Sequence, residues 1–147
     1  MVYRRQAVDD LVIPTRWTDF DALGHLTHAA YPVFLDEARD AFLSATVGSF
    51  SEWPCVVAHV SIDYLREVRY PAPTVTVRTS VQALGASSVT FTQQVVDQDG
   101  ELAAEGQAVV VAFDPETRSA RPIGDEERAL LTSVRATERA PIGEDRT

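Results

Sequence analysis

One segment of this chain, residues 29–46, has both the periodicity and the length of a dominant helix. Its apolar side chains recur at helical spacings, and they are Tyr31, Phe34, Leu35, Ala38, Phe42 and Ala45. Such spacing places them on one face, which must be buried against another element. Pro32 fits the first turn, where a missing N–H costs little, and Gly48 fits the end. The sequence therefore predicts a long helix with a single face to bury.

Most of the remaining chain alternates between apolar and polar residues, which predicts strands. Strands are expected at residues 8–18, 55–66, 73–84, 87–96 and 101–113. In the second of them, the alternation predicts that one face carries Val56, Ala58, Val60, Ile62 and Tyr64. The sequence Asp97-Gln98-Asp99-Gly100 predicts a hairpin turn, and acidic residues at the start of residues 124–135 predict a short helix.

The order of these elements predicts an α+β fold. We expect the hotdog architecture, in which one long central helix is wrapped by a curled antiparallel sheet of about five strands. Residues 1–147 are expected to form a single domain, with residues 140–147 as a frayed tail. Because one helix leaves a face or an edge of the sheet uncovered, we expect a homodimer or homotetramer that continues the sheet.

Charge and composition narrow the possible partners. The net charge of −9 argues against a nucleic-acid backbone or an anionic membrane surface. All 13 basic residues are arginine, so an anionic ligand must be held by arginine, by backbone N–H groups or by a helix end. No apolar run approaches the ~20 residues of a membrane span, and no signal peptide is recognised, which predicts a cytoplasmic protein without membrane insertion. The single cysteine, Cys55, excludes an internal disulfide.

The segment DFDALGHLTHAAY, residues 19–31, is unusually dense in chemically capable side chains. Two histidines, His25 and His28, with Asp19 and Asp21, are ligand types suited to zinc or iron. Their spacing matches no tight metal signature, however, and the third histidine of the chain lies on a separate strand, so no metal is expected. A structural interpretation is also open, in which this is a polar loop that caps the following helix.

A third interpretation is chemical. A helix start presents unpaired N–H groups and the positive end of a dipole, and it can hold a developing oxyanion. A carboxylate just before it can attack a carbonyl group or activate water. Asp21 lies seven residues before His28 and fits this role if the loop folds back over the helix start. One carboxylate and one backbone oxyanion site suffice in principle to hydrolyse an ester or a thioester.

Residues 16–31, RWTDFDALGHLTHAAY, running into FLDEAR at residues 34–39, resemble the hotdog-fold acyl-CoA thioesterases of the 4-hydroxybenzoyl-CoA thioesterase type. The family pattern is roughly D-x-D-x-x-G-[H/I]-V-[N/Y]-[N/H]-x-x-Y, followed by a helix that carries E-x-x-R or E-A-R. Residues 60–66 and 84–91 are similar to its second strand and third turn. The resemblance covers about residues 8–122 and implies that Asp21 is the catalytic carboxylate, as nucleophile or general base, and that the His28 backbone N–H polarises the thioester carbonyl.

The resemblance further implies an acyl-CoA substrate, no cofactor, and a site between two subunits. Substrate contacts are expected from Gly24, Tyr31, His59, Arg66, Ser87 and Ser88, and further candidates for the CoA phosphates are Arg69, Arg78 and Arg118. Thr27 and Glu67 depart from the family pattern, which usually has asparagine or tyrosine at the first position and proline at the second. Whether the His28 ring takes part stays open.

Two rival functions remain at this point. The first is a non-catalytic hotdog module that binds acyl-CoA or acyl carrier protein. The second, a hotdog hydratase, is disfavoured because its asparagine-proline-containing motif is absent.

Overall fold

The computed structural model describes residues 10–134 of the chain, and the predicted frayed tail lies outside them. Eight regular elements follow one another in the order β1 (Asp10–Pro14), α1 (Ala30–Thr46), β2 (Cys55–Tyr64), β3 (Thr74–Leu84), β4 (Ser88–Val96), β5 (Leu102–Asp114), β6 (Ser119–Ala120) and α2 (Asp125–Thr132). A short 3₁₀ turn, Trp17–Asp19, lies between β1 and α1. Helix α1, which has 17 residues, the four later strands and the short second helix are therefore found where the sequence predicts them.

The strands form one antiparallel sheet in the order β1-β3-β4-β5-β2, with the two-residue β6 paired to β5. This confirms the predicted antiparallel sheet of about five strands and adds β6, which the sequence did not predict. The hairpin between β4 and β5 closes as expected, because the Gly100 N–H donates to the Asp97 carbonyl at 3.0 Å and Gly100 takes a φ of 83°. Strands β1 and β2 are the two edges of this sheet.

Helix α1 buries its apolar face against the sheet, and this core has two parts. One part holds Tyr31, Phe34 and Leu35, and the other holds Phe42 and Leu43. The prediction of one buried helix face is confirmed for five residues, Tyr31, Phe34, Leu35, Ala38 and Phe42. It is wrong for Ala45, which is exposed, and Leu43 is buried instead. Burial of this face explains why α1 lies on the sheet.

A buried polar bridge joins α1 to the sheet, and the apolar pattern did not predict it. The Arg39 guanidinium donates to the Gln93 side-chain oxygen at 2.8 Å. The Gln93 amide nitrogen in turn donates to the Leu35 carbonyl at 2.9 Å and to the Thr79 hydroxyl at 3.1 Å. Buried polar groups are tolerated when they are hydrogen-bonded in this way, so the bridge fixes the position of α1 over β3 and β4.

Two predicted boundaries differ from the structure. The first strand was expected over residues 8–18, but it ends at Pro14, and the chain turns because the Asp19 carboxylate accepts the Arg16 backbone N–H at 2.7 Å. In β2 a bulge lies between Val57 and His59.

The bulge in β2 changes the predicted alternation of side chains. One extra residue switches which side chains share a face. Val57 and Val60 both pair with buried residues of β5, Val110 and Ala108, so they face the helix together. The prediction that Val56 shares a face with Val60 is therefore wrong.

Within residues 10–134, no helix has the length and apolarity that crossing a bilayer would require.

Candidate active site

The loop that leads into α1 folds back on itself. Phe20 and Leu26 form an antiparallel bridge, and the Asp21 N–H donates to the His25 carbonyl at 2.8 Å. The Gly24 N–H closes the turn onto the Asp21 carbonyl at 3.0 Å, and Gly24 has a φ of 77° that most side chains would oppose. The loop therefore has the folded-back shape that a pairing of Asp21 with the helix start requires.

The Asp21 carboxylate is exposed, and one of its two oxygens is engaged by the loop backbone. Its Oδ1 accepts the N–H of Leu23 at 2.9 Å and the N–H of His25 at 3.0 Å. The hydrogen bond from the His25 backbone, helped by that from Leu23, holds the pKa of Asp21 below its ordinary value. Its Oδ2 accepts no hydrogen bond from the described part of the chain. Asp21 is therefore ionised at neutral pH with one oxygen available for chemistry.

The start of α1 offers two backbone donors. The Thr27 carbonyl accepts the Ala30 N–H at 3.0 Å, and the His28 carbonyl accepts the Tyr31 N–H at 3.3 Å. The N–H groups of His28 and Ala29, in contrast, donate to no acceptor among residues 10–134. Unpaired N–H groups at a helix start are available to a negatively charged or polarised oxygen. The His28 ring is exposed and makes no hydrogen bond within the same residues.

Asp19 differs from Asp21 in its surroundings. It is only 4% exposed, and its carboxylate accepts the Arg16 backbone N–H and, at 2.9 Å, the Arg16 guanidinium. Burial opposes ionisation of Asp19, but the hydrogen bonds and charge of Arg16 outweigh it and hold the pKa of Asp19 below its ordinary value. Its backbone carbonyl also accepts the Thr27 N–H at 2.8 Å. Asp19 thus has a structural role in the loop. The predicted capping of the following helix is wrong, because the N-cap residue of α1 is Ala29 and no side chain caps it by a hydrogen bond.

The segment after β2 supports the loop from the side. The Leu26 N–H donates to the Val68 carbonyl and the Tyr70 N–H to the Gly24 carbonyl, each at 2.8 Å. The His25 ring nitrogen Nε2 contacts the Glu67 carboxylate. Glu67 stands where the family pattern has proline, and its contact with His25 could not be read from sequence spacing. No group of three histidine, cysteine or acidic side chains within residues 10–134 is arranged to hold a metal ion.

Two further residues assigned to substrate contact lie near the loop. Tyr31 is buried, and burial raises the pKa of its hydroxyl to about 12. Arg66 lies two residues after the end of β2, and its guanidinium donates to the Glu101 carboxylate at 2.8 Å. With Asp21, Gly24 and His28, these residues lie at one end of the sheet.

The other three assigned residues lie elsewhere in the subunit. The Ser87–Ser88 turn follows the far end of β3, where the Ser87 carbonyl accepts the Ala112 N–H at 2.8 Å. At about 3.3 Å per residue, β3 separates this turn from the Asp21 loop by roughly 35 Å. His59 pairs with Val109 and faces away from the helix. Within one subunit, the structure therefore does not bring Ser87, Ser88 or His59 to Asp21.

Comparison with known proteins identifies the family. A family model for the thioesterase-like superfamily matches residues 15–142. The chain belongs to the thioesterase-like superfamily. The predicted hotdog-fold thioesterase is thereby confirmed at the level of the family, and the chain is a thioester hydrolase. The narrower resemblance to 4-hydroxybenzoyl-CoA thioesterases stays a prediction.

Similar proteins carry related names. This thioesterase is 29% identical to the acyl-CoA thioester hydrolase YbgC of Escherichia coli over 105 residues, which are 67% of this chain and 77% of the relative. A predicted thioesterase from Bacillus stearothermophilus superposes with a TM-score of 0.79 at 27% identity, covering 86% of this chain and 96% of that one. A thioesterase from Thermus thermophilus, solved with coenzyme A and zinc, gives 0.75 at 26% identity, covering 84% and 96%. The hotdog fold is confirmed by these likenesses.

A groove of about 340 Å³ runs between α1 and β2 of this thioesterase, away from the Asp21 loop. Its lining includes the apolar or weakly polar side chains Val33, Leu43, Phe50, Cys55, Val57 and Val110, together with the acidic Asp36, Glu37 and Asp40. None of residues 19–28 lines it. Because Cys55 and Val57 of the edge strand β2 line this groove, it adjoins whatever covers that edge.

Proposed function

We propose that this thioesterase hydrolyses acyl-CoA thioesters to a free acid and CoA, with Asp21 as its catalytic carboxylate. One observation carries the proposal. An ionised carboxylate with a free oxygen lies on a loop that folds back beside a helix start whose His28 N–H has no partner among residues 10–134. The Asp21 carboxylate can attack a thioester carbonyl or activate water, and the His28 N–H can hold the oxyanion that results.

The reaction needs few protein groups. Asp21 either attacks the thioester carbonyl, forming an anhydride that water then hydrolyses, or removes a proton from an attacking water. In both routes the carbonyl oxygen becomes an oxyanion, which accepts a hydrogen bond from the His28 N–H. Collapse of this intermediate expels the CoA thiolate, a good leaving group that needs no strong general acid. Because the His28 ring makes no hydrogen bond to the loop, its backbone N–H is the group we assign to the chemistry.

An acyl-CoA substrate is supported by the named activity of YbgC and by the coenzyme A in the Thermus thermophilus structure. The phosphates of CoA also require cationic side chains to bind them, and we assign Arg69 to this role. It forms a β-bridge with His25, is exposed and makes no ion pair within residues 10–134. Arg66 pairs with Glu101, so it would have to exchange that partner to bind a phosphate.

We propose further that the active unit is a homodimer joined through β2. This edge strand is ten residues long, CVVAHVSIDY, and its one acidic or basic residue besides histidine is Asp63. Val57 and Val60 are exposed on its helix-facing side. Long apolar edge strands are hazards unless they are paired, and soluble proteins usually protect a free edge with charge or proline. Two-fold pairing of β2 with its copy would cover this edge. The interface formed in this way would adjoin the groove beside α1.

Such a pairing would also bring Ser87 and Ser88, which are distant from Asp21 within one subunit, to the site of the other subunit. Antiparallel strands run in opposite directions, so the partner's far end of the sheet comes to the Asp21 end of the first subunit. Ser87 of the partner subunit and Ser88 of the partner subunit would then lie at the end where the substrate binds. These serines can contact the substrate of an Asp21 site only if that site belongs to the other subunit. Their predicted role therefore requires the predicted site at the subunit interface.

The proposal is tested by offering purified protein a panel of acyl-CoAs with short, long and aromatic acyl groups, with a thiol reagent to detect free CoA. We expect release of CoA and free acid in equal amounts from at least one member of the panel. The rival non-catalytic module predicts a different result, in which acyl-CoA binds, as followed by calorimetry, and no thiol appears. A cytoplasmic location remains a prediction.

A further inference from the structure

Tyr64, the last residue of β2, reaches across to the start of α1. Its hydroxyl donates a hydrogen bond to the His28 carbonyl at 3.3 Å. Its ring meets the buried Tyr31 ring edge to face, with 5.0 Å between ring centroids and 89° between planes. The same His28 carbonyl also accepts the Tyr31 N–H at 3.3 Å. Two donors therefore hold this one carbonyl group.

Holding that carbonyl orients the next backbone N–H. A trans peptide is planar, so its C=O and N–H groups point in opposite directions. The His28 carbonyl points along the helix to Tyr31, and the Ala29 N–H of the same peptide must therefore point out of the helix start. The Thr27 carbonyl, held by the Ala30 N–H, orients the His28 N–H in the same way. Two successive N–H groups thus leave the helix start without partners in the described part of the chain.

We propose that the Ala29 N–H is a second oxyanion donor beside that of His28, and that Tyr64 is the residue that positions it. This inference rests on the proposed function, since it assigns a further role within the same site. Two donors hold an oxyanion in a fixed position better than one, and fixed donors need no reorganisation during the reaction. Tyr64 ends the strand that we assign to the dimer interface, so it also links that interface to the site.

The hydroxyl of Tyr64 can be separated from its ring. Tyr64→Phe removes the hydrogen bond and keeps the edge-to-face contact with Tyr31. Tyr70 supplies a matched control, because it is 55% exposed where Tyr64 is 50% exposed and its ring meets Phe20 edge to face at 5.1 Å. The Tyr70 hydroxyl, however, bonds to no residue among residues 10–134. Tyr70→Phe therefore makes the same chemical change without touching the helix start.

The test compares kcat, KM and the thermal midpoint of wild type, Tyr64→Phe and Tyr70→Phe with one acyl-CoA. An interaction made only with the oxyanion acts on kcat and leaves substrate binding unchanged. We expect Tyr64→Phe to lower kcat about three- to tenfold, the size of one neutral hydrogen bond, with KM and the midpoint unchanged. Tyr70→Phe should match wild type in all three quantities.

Three results would overturn the inference: an unchanged kcat in Tyr64→Phe, a loss expressed in KM, or an equal loss in Tyr70→Phe. A wild-type protein that releases no CoA from any acyl-CoA is a different result, because it contradicts the proposed function itself. An active wild type with a fully active Tyr64→Phe variant contradicts only the positioning role.

Discussion

Asp21→Asn is expected to lower kcat for acyl-CoA hydrolysis about a thousandfold while the protein stays folded. Asparagine can neither attack a thioester as an anion nor take a proton from water. Its side-chain oxygen can still accept the N–H groups of Leu23 and His25, so the loop should keep its shape. The measurement is the rate of CoA release by wild type and variant under identical conditions, with circular dichroism and the thermal midpoint to verify the fold.

Asp19→Asn is the matched control, since it makes the same chemical change two residues earlier. Asp19 is buried and paired with Arg16, so this variant should lose about 1–3 kcal/mol of unfolding free energy. Its kcat should fall far less than that of Asp21→Asn. An Asp21→Asn variant that kept most of its activity would remove Asp21 from the chemistry, and so would a larger loss of kcat in Asp19→Asn.

Val60→Lys is expected to convert the protein to monomers and to lower activity at least about a hundredfold, a loss comparable to that of a misplaced catalytic group. Val60 lies in the middle of β2 and is 39% exposed. Two-fold antiparallel pairing brings the two copies of this residue close together, and like charges on facing strands repel. Lysine on an edge strand is also the device by which proteins prevent edge pairing. Light scattering after size exclusion gives the mass, and CoA release gives the activity.

The other edge of the sheet supplies the control. Val12 lies on β1 and is exposed, so Val12→Lys places the same charge on the same type of strand. This variant should keep the wild-type mass and rate. A dimeric and active Val60→Lys protein would contradict an interface at β2, and dissociation caused by Val12→Lys would move that interface to β1.

Local patterns predicted the regular elements well. The helical periodicity of residues 29–46 corresponds to Ala30–Thr46, and four alternating segments became β2 to β5 with ends displaced by no more than two residues. These features depend on neighbours within one element, where the spacing of side chains directly reflects which face is buried. The Asp97–Gly100 hairpin is equally local.

Features that join distant parts of the chain could not be predicted in this way. The bulge in β2 reverses the faces of Val56 and Val57, and only its pairing with β5 reveals it. The contact from Tyr64 to the His28 carbonyl spans 36 residues, and that from Arg39 to Gln93 spans 54. Such contacts depend on the three-dimensional arrangement of strands and helix, which no sequence period encodes.

The sequence predicted the chemical groups of the candidate site, but it did not predict the contacts that hold them in place. The sequence pointed to Asp21 and to the N–H groups at the start of α1, because their types and order suit acyl transfer. Two contacts that hold the Asp21 loop in place are seen only in the structure. Asp21 uses one carboxylate oxygen to close its own turn, and Glu67 contacts His25 from outside the loop. The sequence placed Glu67 only as a departure from the family pattern.

The measurement that tests the central role of Asp21 most directly is the pH dependence of kcat/KM, followed by loss of thioester absorbance. Backbone hydrogen bonds lower the pKa of Asp21, so its carboxylate stays ionised below the pH at which an ordinary aspartic acid gains a proton, about 3.9. We therefore expect a constant kcat/KM from about pH 8 down to about pH 5. A fall centred between about pH 6 and 7, where imidazole side chains titrate, would assign the essential base to a histidine and contradict the central role of Asp21.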